Sequence, residues 1–87
     1  MDEVDERYRR IEGLLTAAAR VLPATPGDQW SVYLDHGEYG LALDDLLEEG
    51  VAARATAEYW RLLRDAAAEM ERHAVAADLE KRRQDAI

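Results

Sequence analysis

The sequence predicts an all-α fold, a small bundle of four helices over about 2–21, 26–36, 38–49 and 56–80. Apolar residues recur at three- and four-residue steps, whereas no stretch alternates with a period of two over a useful length. Apart from two Trp and four Tyr, the apolar set is almost all Ala, Leu and Val with no Phe, so the core is aliphatic packing between helices. Pro23, Pro26, Gly37 and Gly50 stand where the periodic stretches end or begin. The 87 residues make one domain, 1–87, which buries about 60–65% of the unfolded chain's surface.

In the first helix Val4, Tyr8, Ile11, Leu15, Ala18 and Leu22 form one stripe. On its polar side Glu3 with Arg7, Asp5 with Arg9 and Glu6 with Arg10 stand four apart in the favourable order. Pro23 ends the helix, because it lacks an N–H and restricts the residue before it. Thr25 is the expected N-cap of the second helix, with Pro26 at its first position and Asp28 answering as in a capping box. There Trp30, Tyr33 and Leu34 share a face, and Gly37 stops the helix through a left-handed cap behind His36, whose ring interacts with the last free carbonyls. The third helix turns Tyr39, Ala42, Leu43, Leu46 and Leu47 inward and Leu41, Asp44, Asp45 and Glu48 outward, and Gly50 closes it. Thr56 caps the fourth, whose stripe is Tyr59, Leu62, Leu63, Ala66, Met70, His73, Ala74 and Ala77. Trp60 lies at the edge of that stripe and is the aromatic that most readily falls outside the core. Beyond Asp78 the stripe fails, so residues 80–87 are expected to fray.

Charge is distributed unevenly. Residues 28–50 hold Asp28, Asp35, Glu38, Asp44, Asp45, Glu48 and Glu49 with no Lys or Arg, a local charge of −7 within a total of −8. Such a balance argues against nucleic acid and against anionic membrane surfaces, since both would be repelled. The acidic stretch leaves two readings, a surface for a basic partner or a solvated face that serves solubility; the interleaved signs elsewhere and Leu41 among the acids favour the partner. No apolar run approaches the ~18 residues of a membrane span, and the charged N-terminal segment lacks the apolar centre of a signal peptide. With no Cys there is no disulfide framework, thiolate metal site or Cys nucleophile, and a cytoplasmic location is expected.

The residues do not assemble a catalytic or metal-binding pattern. His36 and His73 lie in different helices, and Glu69 with His73 is at most half of a helical metal pair, more simply a solvated pair. The neighbouring carboxylates Asp44–Asp45 and Glu48–Glu49 point about 100° apart on a helix, which leaves each pair ionised rather than coupled for acid–base chemistry. Ser31, Asp35 and His36 sit too close together on one short helix to form a relay with an oxyanion hole. Glycine-rich phosphate loops and calcium-loop patterns are missing too. The expectation is therefore a non-enzymatic protein without cofactor or metal.

The run His36-Gly37-Glu38-Tyr39-Gly40-Leu41-Ala42-Leu43, continued by Asp44-Asp45-Leu46-Leu47-Glu48-Glu49, resembles the signature of small MafI-like bacterial immunity proteins. These accompany polymorphic toxins and contact-dependent growth-inhibition systems. The resemblance implies a helical inhibitor that binds a cognate toxin domain, with nucleases common among such toxins. A nuclease presents a basic cleft, so the acidic helices would complement it and speed its capture. On this reading the toxin-binding residues are Asp35, Glu38, Asp44, Asp45, Glu48 and Glu49, with Tyr39, Leu41 and Trp60 as apolar anchors and Gly37 and Gly40 shaping the turn. The alternative is a helical scaffold or regulatory module that self-associates through its apolar stripe.

Overall fold

The computed structural model describes residues 3–86, and side chains from Asp5 onward. Asp2, the expected start of the first helix, the Glu3 and Val4 side chains, and Ile87 lie outside that description. Five helices follow in order: α1 Glu3–Val21, α2 Gln29–Asp35, α3 Tyr39–Ala53, α4 Ala57–Glu69 and α5 His73–Asp85. The all-α expectation holds, with one helix more than expected.

α4 is the hub. It packs most extensively on α5 and α1 and also meets α3, while α2 rests on α3. The contact stripe of α1 is the expected one, with Ile11, Leu15, Ala18 and Leu22 buried against Ala42, Leu43, Leu46, Tyr59, Leu62, Leu63 and Ala66 in one continuous core. Tyr8 remains half-exposed and stacks on Tyr39, ring centroids 5.2 Å apart and 13° from coplanar. Thr56 caps α4 as expected, its hydroxyl accepting from the Tyr59 N–H at 3.5 Å.

The expected fourth helix is two helices. Glu71 adopts a left-handed φ of 59°, the Arg72 N–H donates to the Ala67 carbonyl at 2.9 Å, and the chain turns back along α4. The break places Leu79 fully in the core. A continuous helix could not do so, because Leu79 is out of phase with the stripe of α4. For the same reason His73, Ala74 and Ala77, expected on the core stripe, are exposed, and Val75 and Ala76 pack inward instead. The expected frayed tail is helical through Asp85. Its anchor is Glu80, which accepts from Arg64 of α4 at 2.6 Å and from Arg83 and Gln84 of its own helix. Trp60 is also corrected: at 4% exposure it is core, edge-on to Tyr59 and covered by the Arg82 guanidinium 5.4 Å from its ring centroid.

Two boundaries also move. α3 runs through Gly50 to Ala53 and ends on Arg54, whose φ is 53°. Gly50 serves close packing instead, since a Cβ there would lie 2.5 Å from the Tyr59 ring and 2.7 Å from that of Trp60. α2 begins at Gln29, not at Pro26, and its N-cap is Asp28 without a side-chain cap bond. Two prolines and Gly27 within five residues keep the preceding segment from winding into helix.

Candidate partner-binding face

The turn between α2 and α3 forms as the glycine predicts. Gly37 takes a φ of 70°, the Gly37 and Glu38 N–H groups donate to the carbonyls of Leu34 at 3.0 Å and Tyr33 at 2.8 Å, and His36 Nδ1 lies 2.8 Å from the Val32 carbonyl oxygen. This closes α2 and folds it back on α3. Asp35 and Glu38 flank the turn and are exposed.

The acids of α3 divide into three environments. Glu48 is exposed on the outward side and carries no ion pair among the described residues. Asp44 is exposed too, but Arg72 of the α4–α5 turn reaches it at 3.3 Å and also donates to the Gly40 carbonyl at 3.3 Å. Asp45 and Glu49 turn towards α2 and are half-buried. Asp45 accepts a bond from the Trp30 backbone N–H in the first turn of α2, so a carboxylate from α3 serves the helix end that Asp28 leaves uncapped. Its Oδ2 is buried without a partner. Burial pushes this carboxyl above the ordinary aspartate range, the Glu49 carboxylate pushes it further, and the Trp30 N–H opposes both. Burial likewise raises the Tyr59 hydroxyl, with Glu49 and Asp45 adding to it, and that hydroxyl donates to the Leu46 carbonyl at 2.5 Å.

Of the proposed anchors, Leu41 is 47% exposed on the outward face. Tyr39 is half-buried and, with Tyr8, Ile11, Met70, Arg7 and Glu69, lines a cleft of about 270 Å³ between α1, α3 and the end of α4. Trp60 lies on the inward side of α4, away from the exposed acids. Sequence reasoning missed Val51 and Val32, exposed at 48% and 43%. Val51 was hidden by ending α3 early; once the helix continues to Ala53, the spacing from Leu41 puts both on one side. Arg72 was missed because nothing local marks it as the cation that meets Asp44.

Glu69 and His73 do not form a metal pair, since they sit on separate helices and Glu69 pairs with Arg10 at 3.2 Å. Among the described residues no three or more His, Cys, Asp or Glu gather to hold a metal ion, and no helix is long and apolar enough to cross a membrane. Compared with protein-family models, curated proteins and solved structures, the chain gives no match.

Proposed function

We propose that this chain is a non-catalytic immunity-type inhibitor, which binds a basic toxin domain, a nuclease being the fitting class, through the exposed surface of α2 and α3. The observation that carries this reading is the segregation of charge. Seven acids and no Lys or Arg lie within 28–50, and Asp28, Asp35, Glu38, Asp44 and Glu48 stand exposed there beside Val32 and Leu41. Acids supply long-range attraction to a basic cleft, and the exposed aliphatic groups supply surface that can be desolvated on contact. The HGEYGLAL run, which resembles the immunity-protein signature, builds the turn that holds this surface together.

The self-association alternative has less support, because the apolar stripes of α1 and α4 are already covered by one another. Co-expression with whatever protein the neighbouring gene encodes, or with a basic nuclease toxin domain, tests the proposal. A stable complex is expected, and the triple variant Asp35→Lys/Glu38→Lys/Glu48→Lys is expected to lose it while keeping its helical circular dichroism. Asp45 stays intact in that variant because it serves the end of α2. Unchanged binding by a folded triple variant would rule out the acidic surface, and a homo-oligomer indifferent to the same changes would favour the scaffold.

A further inference from the structure

We propose that the outward ridge of α3 is a docking track for a basic amphipathic helix of the partner; this rests on the reading of the α2–α3 surface as a partner-binding face. Leu41, Asp44, Glu48 and Val51 follow one another at three, four and three residues, and all four are exposed. They therefore form a continuous ridge with an aliphatic residue at each end, about 15 Å apart at the helical rise. No other helix among the described residues covers it: α2 lies on the side of Asp45 and Glu49, and Arg72 flanks Gly40 and Asp44 on the other. Two aliphatic side chains left 47% and 48% exposed in register with acids suit a partner that repeats with the same period. An α-helix has that period, and three of its turns span the distance.

Charge selects which helix. Between Leu41 and Val51 the ridge offers only carboxylates, so the partner helix must place Lys or Arg between its apolar residues. The two acids are not equivalent. Asp44 is already met by the Arg72 guanidinium, whereas Glu48 has no ion pair among the described residues. Glu48 is thus the principal electrostatic contact, and Arg72 competes with the incoming cation at Asp44.

Two synthetic peptides of equal charge test this by fluorescence anisotropy against the intact protein: a helical Leu/Lys peptide with leucines about 15 Å apart on one face, and the same composition scrambled to remove the face. The helical peptide should bind about tenfold or more tightly than the scrambled one. Leu41→Asp and Val51→Asp should each abolish that preference. Glu48→Gln should weaken binding more than Asp44→Asn, and Arg72→Ala should strengthen it. Circular dichroism of each variant confirms folding, and the comparison of the two peptides on the native protein needs no variant at all. Equal binding of both peptides, no binding of the helical one, or indifference to Leu41→Asp and Val51→Asp would overturn the track. Equal binding of both peptides, lost in the Asp35/Glu38/Glu48 lysine variant, would leave the acidic-surface reading standing without the track.

Discussion

Gly50 sits where α3 packs against the Tyr59 and Trp60 rings of α4, and the reason is steric. A methyl group there would fall inside contact distance of both the Tyr59 and the Trp60 rings, and neither ring has free space, since both are buried. Gly50→Ala is expected to lower stability by about 1–3 kcal/mol, read as a shift in the urea midpoint. Asp45 makes a different prediction. Its folded-state pKa is raised, so the folded protein holds that proton more tightly than the unfolded chain does. Asp45 therefore favours folding below the ordinary aspartate range, and the contribution is lost as pH rises through the raised value. Asp45→Asn, which keeps an acceptor for the Trp30 N–H without the charge, should raise stability at neutral pH and flatten its pH dependence. Asp45→Ala removes the acceptor and should lower stability by about 1 kcal/mol. Thermal melts from pH 3 to 8 separate the two effects.

Among the elements, α5 and the turn that produces it are the least expected features. Glu71 and Arg54 both hold positive φ without being glycine, a conformation that costs roughly 1 kcal/mol for a side chain bearing a Cβ. Arg54→Gly and Glu71→Gly should therefore each stabilise by up to about 1 kcal/mol. The Arg7–Glu71 pair lost in the second variant is long, at 3.6 Å, and mostly solvent-exposed, so it offsets little. Docking of α5 depends in part on Glu80, whose carboxyl is held well below the usual range by the donors of Arg83, Arg64 and Gln84. A depressed value means that Glu80 contributes stability above the unfolded glutamate range and loses it as pH falls. Glu80→Gln should remove that acid-sensitive component and leave α5 exchanging its amide hydrogens faster at neutral pH.

At the scale of the whole molecule, the net charge of −8 matters less than its placement. Several arginines elsewhere are bound up with acids, as in Arg61 with Glu58 and Asp65, Arg64 with Glu80, and Arg10 with Glu69. Among the described residues the α2–α3 side lacks such partners apart from Arg72, so its field extends outward over a distance set by salt. Association with a basic toxin domain should slow about tenfold or more between low and physiological salt, while dissociation changes little. Stopped-flow fluorescence of the two partners at several ionic strengths checks this. A rate indifferent to salt would mean that the acids serve solubility alone.

Much of this was legible from local pattern. Periodicity identified the stripes of α1, α3 and α4, Thr56 marked the start of α4, and Gly37 marked the turn that joins α2 to α3. These depend on the chain's own spacing, capping and backbone freedom, which the sequence determines by itself. What tertiary structure decided involves groups distant along the chain. The break at Met70–Arg72 carries no glycine or proline and is made worthwhile by the burial of Leu79. Gly50 reads as a helix end until Tyr59 and Trp60 are seen against it, and Trp60 reads as an edge residue until Arg82 covers it. The acidic segment likewise had its sign and position in the sequence alone. Only packing separated Asp45, which serves a neighbouring helix end, and Asp44, which Arg72 meets, from Glu48, which faces solvent between Leu41 and Val51, because burial and pairing are set by whichever helices come to lie alongside.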